Sequence, residues 1–237
     1  MRRILQCLLL AAVFLAAAVP ALCDKADEYY GRAIAELSRN DMTDAMADAT
    51  KAIEHRQNYV DAYLLRAMAE QSIRATDKAL GDIAKAIQLA PDQPKVYIAR
   101  GRVKAETHDP KGAIEDFDKA IQLRPDNATA GIAFIGRAHV RLEEGDVDGA
   151  IEDFDTACRL RPGTDAQFGV EFAFAFYNRG SSSLTKGDID PAIRDFTKAI
   201  QLNPSYASAY TGRANAKRAK GDMDGASADL ATAAALK

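Results

Sequence analysis

The sequence contains no tryptophan and only three cysteines in 237 residues. Cys7 and Cys23 lie in an apolar N-terminal segment, which leaves Cys158 alone in the rest of the chain. One cysteine cannot form an internal disulfide, so an oxidising compartment is compatible with this chain but not used by it. Alanine is abundant and glycine modest, which favours helices over sheets.

Basic residues are not in excess either. The net charge is −3 for the whole chain, and without residues 1–23 it is −5, from 29 basic and 34 acidic residues. Nucleic acids and anionic membrane surfaces attract strongly basic proteins. The charge therefore argues against both as the main partner.

The N-terminal segment has the layout of a secretory signal peptide. A basic MRR precedes the apolar run ILQCLLLAAVFLAAAV, and Ala21-Leu22-Cys23 forms a small-residue cleavage site. The run is short for a membrane span, although an uncleaved anchor or a lipid-modified Cys23 would be alternatives. We predict residues 1–23 to be a cleaved signal peptide, with a periplasmic or secreted product and membrane attachment only if cleavage fails. The leader and the composition are typical of bacteria.

Three stretches of fifteen residues are almost the same. Residues 113–127 read AIEDFDKAIQLRPDN, residues 150–164 AIEDFDTACRLRPGT and residues 192–206 AIRDFTKAIQLNPSY. Aligning them shows six units with a period of 34 residues, of which the last stops three residues short. The units divide the chain into repeats one to three (26–127), repeat four (131–164), an insertion (165–172) and repeats five and six (173–237).

Each unit predicts two helices joined by a turn. Position 4 is aromatic, position 8 is Ala or Gly, positions 20 and 27 are Ala, and both series have helical spacing. Positions 15 and 16 read Asn-Asp or Gly-Asp in four units, which suits a helix end followed by a helix cap. Arg74 and His108 replace Gly at position 15, so we expect strain in those turns. Proline at position 32 ends the second helix in four units.

These positions resemble the tetratricopeptide repeat family. The resemblance covers residues 26–237 apart from the insertions, and it implies an all-α, right-handed superhelical solenoid of antiparallel helix pairs. Position 11 departs from the family pattern, because it is often aromatic there and is Glu, Lys, Arg or Ser here. A single pair cannot bury its own apolar face, so stacking of neighbours explains why the sequence repeats.

Two charged positions are invariant among the six units. Position 7 is always Arg and position 23 always Asp, and equal numbers at matched intervals favour structural ion pairs over a basic ladder for an acidic ligand. The residues are Arg32, Arg66, Arg100, Arg137, Arg179 and Arg213, with Asp48, Asp82, Asp116, Asp153, Asp195 and Asp229.

Two sets of residues are candidates for partner binding. The resemblance implies a concave groove lined by the first helices, where position 5 reads Tyr30, Leu64, Ile98, Ile135, Tyr177 and Thr211. All but Thr211 are apolar or aromatic, which suits an extended peptide or an amphipathic helix, whereas the alternative is packing between first helices. The second set is Phe168, Phe172 and Phe174, on a first helix that the insertion lengthens by about two turns.

The phenylalanines around the insertion also leave two alternatives open. Phe168, Phe172 and Phe176 are four residues apart, so they form one stripe that either protrudes or folds back on the fourth unit. We expect the insertion to interrupt regular stacking near residue 165, giving two blocks, 26–164 and 165–237.

The sequence offers no constellation for catalysis. The three histidines occupy different repeat positions, no phosphate-binding loop motif occurs, and Cys158 stands where other units have Ile. We expect no enzyme activity, cofactor or metal. The function we predict is an exported scaffold or adaptor that binds a peptide or helix of another protein in the groove. Self-association, or reception of a small ligand or glycan, are the alternatives.

Export gives a direct prediction. Expressed with its own leader in a bacterium, the purified protein should begin at Asp24, because cleavage after Cys23 removes the apolar segment. Intact mass and N-terminal sequencing measure this. A Leu9→Arg variant, which interrupts the apolar run, should keep the full-length mass, and full-length wild-type protein would contradict cleavage.

Overall fold

The computed structural model describes residues 24–236, which contain twelve helices and no strands. The helices pair in chain order, and each pair corresponds to one 34-residue unit. They are α1 (Lys25–Ser38), α2 (Met42–His55), α3 (Val60–Ser72), α4 (Thr76–Leu89), α5 (Pro94–Glu106), α6 (Pro110–Gln122), α7 (Asn127–Glu143), α8 (Val147–Leu160), α9 (Thr164–Lys186), α10 (Ile189–Leu202), α11 (Ala207–Lys220) and α12 (Met223–Ala235). The predicted signal peptide lies outside the described residues.

Every turn within a pair uses a left-handed residue at position 15. Glycine adopts this conformation in the last three units, at Gly145, Gly187 and Gly221, with φ between 83° and 90°. Arg74 and His108 adopt it too, with φ of 61° and 60°. Their Cβ atoms make this costly, by roughly 1–2 kcal/mol per residue. The strained turns predicted at these two residues are therefore present.

Aspartate at position 16 caps the second helix in most units. The side chains of Asp41, Asp109, Asp146 and Asp222 each accept a hydrogen bond from the backbone N–H three residues later. Asp188 forms no such bond, because the residue at that point is Pro191, which has no N–H to donate.

The two helices of a pair run antiparallel and close together. In the third unit Arg100 reaches Asp116, whereas Lys104, one turn later on α5, reaches the carbonyl of Gly112, one turn earlier on α6. The small residues at positions 8 and 20 are buried at this contact in every unit. A larger side chain there would hold the helices apart.

Neighbouring pairs stack by matching large residues with small ones. The Phe117 ring at position 24 packs so closely on the next pair that a Cβ atom at Gly136 would lie 2.6 Å from it. Phe196 meets Gly212 in the same way, at 2.5 Å. Between the first two pairs the sizes are reversed, because Ala49 packs against Leu65.

The described helices divide into two compact units after Pro91. The first contains α1–α4 and the second α5–α12. The division predicted at residue 165 is therefore wrong. The insertion does not break the stack, because α9 continues through it for 23 residues and packs against α8, α10 and α11.

The stacking contact predicts opposite effects of one substitution at one repeat position. Gly31 and Gly136 both occupy position 6 of their repeat units, but a Cβ atom at Gly31 would meet no described atom within 4 Å. Gly31→Ala should raise the free energy of unfolding by about 0.5–1 kcal/mol through helix propensity. Gly136→Ala should lower it by about 1 kcal/mol, because the clash with Phe117 outweighs that gain. Urea unfolding measures both, and effects of the same sign would contradict the stacking account.

Candidate functional site

Each invariant arginine binds the invariant aspartate of its own unit. The nitrogen–oxygen distances of the six ion pairs lie between 2.6 and 2.8 Å. In five units both carboxylate oxygens accept bonds from Nε and Nη2 of one guanidinium. The pairs join Arg32 to Asp48, Arg66 to Asp82, Arg100 to Asp116, Arg137 to Asp153, Arg179 to Asp195 and Arg213 to Asp229.

The aromatic residue at position 4 covers each of these guanidinium groups. Arg66, for example, lies 5.7 Å from the ring centre of Tyr63, and Arg137 lies 5.3 Å from that of Phe134. Guanidinium and ring attract each other in this arrangement. Held by carboxylate and ring, the arginines link the two helices of a pair. This arrangement favours the structural role over a basic ladder for a ligand.

The residue at position 11 changes the surroundings of the Arg–Asp ion pair from one repeat to the next. Lys104, Arg141 and Lys217 add a second cation to the aspartate of their unit, at 2.9–3.0 Å. In the first two pairs this position is Glu36 and Glu70. Burial and the neighbouring aspartate raise the pKa of both glutamates. Glu70 is 8% exposed, and its buried Oε2 accepts no hydrogen bond from a described residue.

A groove of about 480 Å³ lies on the second compact unit, the part of the chain after Pro91, where α5, α7 and α9 come together. Ile132, Ile135 and Phe168 supply apolar surface. Charged and polar side chains surround it: Arg102, Glu106, His139, Glu143, Arg161 and Gln167. Ile132 is 37% exposed, so apolar surface is open to a ligand.

The position-5 residues divide between packing contacts and the walls of cavities. Leu64, Ile98 and Ile135 are 9%, 7% and 5% exposed. Tyr30 packs on Tyr59, and Tyr177 packs on Phe196 and Tyr206, with ring centres 5.0–5.7 Å apart. Only Ile135 of the set lines the groove described above. Tyr177 and Thr211 line a second cavity of about 380 Å³ beside α9 and α11, so the structure favours the packing alternative only for Tyr30, Leu64 and Ile98.

The aromatic stripe on α9 also packs. Phe172 is fully buried and stacks on Phe154 of the fourth pair, with ring centres 4.2 Å apart. Phe176 meets the same ring edge-on, and Phe168 contacts His139. The stripe therefore folds back on the fourth pair and fills the space that the insertion creates.

The exposed apolar surface of α9 is on its other side. Phe174 is 57% exposed and Val170, one turn earlier, is 67% exposed. Phe174 is a predicted binding residue, but Val170 was missed. Its spacing of four residues from Phe174 is the signal that could have found it.

His139 and Cys158, two side chains with potential reactivity, pack against their neighbours. His139 lies between the rings of Phe168 and Phe172, with Nε2 3.4 Å from a carboxylate oxygen of Glu171. Burial raises the pKa of the Cys158 thiol, which disfavours the reactive thiolate. Residues 24–236 contain no cluster of three or more His, Cys, Asp or Glu side chains arranged to hold a metal.

Comparisons with known proteins identify the repeats. Two family models, both described as tetratricopeptide repeat, match residues 98–165 and 173–206. Residues 98–165 and 173–206 are therefore tetratricopeptide repeats, and the described helices form the helix-pair solenoid of such proteins. No curated protein sequence matches the chain significantly. Among residues 24–236, no helix is long and apolar enough to cross a membrane, including the 23-residue α9.

Three solved structures with this fold are similar to this chain. PilF of Pseudomonas aeruginosa has a TM-score of 0.63 at 19% identity and covers 86% of this chain and 88% of its own. PilW, a type IV pilus biogenesis factor, has a TM-score of 0.59 at 20% identity, covering 89% and 92%. YrrB, described as having an unusual peptide-binding site, has a TM-score of 0.58 at 22% identity, covering 80% and 92%. At these identities the likeness shows the fold alone.

The ion pairs predict that each invariant aspartate is coupled to the invariant arginine of its own unit and not to that of the next unit. Asp116→Asn leaves Arg100 and Lys104 without their buried carboxylate and should cost roughly 2–3 kcal/mol of unfolding free energy. A double-mutant cycle with Arg100→Gln should show coupling, and one with Arg137→Gln should not, because Arg137 binds Asp153 and Asp118 and not Asp116. Glu115→Gln, an exposed change on the same helix, is the control. Additive effects of Asp116→Asn and Arg100→Gln would refute the pair.

Glu70 predicts a dependence of stability on pH. Its pKa is raised in the folded state, so its stabilising contribution is complete below the unfolded pKa and is lost as the pH rises through the folded pKa. Glu70→Gln should therefore raise the free energy of unfolding at pH 7 and change it little at pH 4. Glu54→Gln, on the exposed side of α2, should change neither. A Glu70→Gln variant less stable at pH 7 than wild type would show that the carboxylate is compensated.

Proposed function

We propose that the protein is an exported, non-catalytic adaptor that binds a peptide or short helix of a partner protein in the groove formed by α5, α7 and α9. The observation that carries this proposal is the groove itself, with exposed Ile132 beside Ile135 and Phe168 and a charged rim around them. An apolar strip with polar edges is the surface that accepts an amphipathic helix or an extended chain.

The charges at the rim support a partner that carries both signs. Arg102 and Arg161 face the groove together with Glu106 and Glu143. Complementary charges on a peptide would fix its direction and register more than its affinity. Gln167 and His139 add hydrogen-bonding groups at the same edge. What this groove supplies is contact surface and orientation.

The exposed apolar side of α9 offers a second contact area next to the groove. Val170 and Phe174 are apolar and lie one turn apart on the helix that also contributes Phe168 to the groove. A partner helix longer than the groove would gain burial along this edge, at about 25 cal/mol for each Å² of apolar surface covered.

Export and the biological process rest on other support. The leader sequence favours export to the periplasm, and envelope assembly is the process we infer, since PilW is described as a pilus biogenesis factor. The peptide-binding site in YrrB's description supports a peptide as the ligand class.

A selection of displayed random peptides tests the proposal. Wild-type protein should enrich a family of peptides, and Ile132→Asp and Phe174→Asp should each weaken their binding at least tenfold. Both residues are exposed, so aspartate there should not unfold the chain, unlike aspartate at the buried Leu64, Ile98 or Ile135. Met223→Asp is the control, because Met223 is an exposed apolar residue on α12 that does not line the groove. Peptides that bind all four proteins equally would contradict the groove as the site.

A further inference from the structure

The fifth unit lacks the second cation that three other units place on their aspartate. Position 11 is Ser183 there, whereas Lys104, Arg141 and Lys217 bind Asp116, Asp153 and Asp229. The Asp195 side chain is accordingly 10% exposed, compared with 4–6% in those three units. The short serine opens a cavity of about 340 Å³ beside the ion pair.

Both carboxylates of this cavity contact Arg179. Arg179 binds Asp195 at 2.8 Å, and its Nη1 lies 3.4 Å from Asp148. Three positively charged groups line the same cavity, namely Arg179, Lys186 and Arg194, together with the hydroxyls of Ser182 and Ser183. Arg179 is neutralised by its partners, which leaves Lys186, Arg194 and the two hydroxyls as the free groups.

Lys186 and Arg194 form no ion pair with any residue of the described range. Lys220 binds Asp190 at 2.8 Å and is the main cause of the lowered pKa of that carboxyl, to which the charge of Arg194 adds a smaller effect. Each of the free groups of the cavity can therefore donate a hydrogen bond, and two of them are positively charged. Such a set attracts an acceptor that carries negative charge.

The cation at position 22 is peculiar to this unit. The other five units have Ala47, Gly81, Glu115, Glu152 and Ala228 at the position of Arg194. The fifth unit thus combines a short residue that opens the cavity with a basic residue that lines it. Two cations facing one cavity repel each other, and an anion between them would relieve this repulsion.

We propose that the cavity beside Ser183 binds an oxyanion, a phosphate or carboxylate group, through Lys186 and Arg194 with the hydroxyls of Ser182 and Ser183 as further donors. The site is separate from the groove, which involves α5, α7 and the first turns of α9. Because Lys186 and Arg194 are exposed, binding should weaken as the ionic strength rises.

An NMR titration of the purified, nitrogen-15-labelled protein tests this site. Inorganic phosphate and glutarate are added separately at constant ionic strength, with chloride as the reference. We expect saturable shifts of the amides at 182–186 and 194–195. Saturation by one anion only would identify the preferred group, and both results support the site. Shifts that never saturate, or that match those in chloride, would overturn the proposal.

Variants distinguish this site from general anion effects. Arg194→Ala and Lys186→Ala should each raise the dissociation constant at least tenfold. Ser183→Lys should abolish binding by filling the cavity, and it should preserve the fold because Lys104 and Lys217 occupy the same position in other units. Arg218→Ala, an exposed basic residue on α11, should leave binding unchanged. Equal binding by wild type and Ser183→Lys would exclude the cavity.

Discussion

A pair of short helices has no interior of its own, so each large side chain at position 24 needs space in the next pair. Phe117 finds that space at Gly136, and Phe196 finds it at Gly212. Where the large residue is Leu65 instead, position 24 of the preceding pair is Ala49. The volume at each junction is shared between two repeats, which makes stability a sum of pair and junction contributions. Every other feature depends on this stacking, because it fixes how far apart the first helices lie and how wide a groove they leave.

The invariant ion pair performs a different task from the apolar contacts. It joins the two helices within a unit, and position 11 decides what surrounds it. A cation there neutralises the aspartate, as Lys104 does, whereas Glu70 adds a second carboxylate in a buried place. Ser183 leaves the place open. One repeat position thus places a second cation, a second carboxylate or a cavity beside the invariant ion pair.

Local features were predictable from the sequence, and features that depend on neighbouring pairs were not. The turn at position 15, the aspartate caps and the lengthened α9 follow from residues within one unit. Whether Leu64 or Ile98 is exposed depends on how closely adjacent first helices approach, which no single unit encodes. The spacing of the aromatic stripe on α9 can be read from the sequence, but whether the stripe faces solvent or the fourth pair cannot. The division after Pro91, in place of one near residue 165, likewise depends on contacts among several helices.

The central claim is that a partner chain occupies the groove formed by α5, α7 and α9. Hydrogen exchange measured by mass spectrometry, with and without a selected peptide, tests it most directly. We expect slower exchange in Asn127–Glu143 and in the first half of Thr164–Lys186, and no change in Lys25–Leu89. Protection confined to the first four helices, where Ile34 and Met68 are exposed, would contradict the claim and place the binding site on those helices.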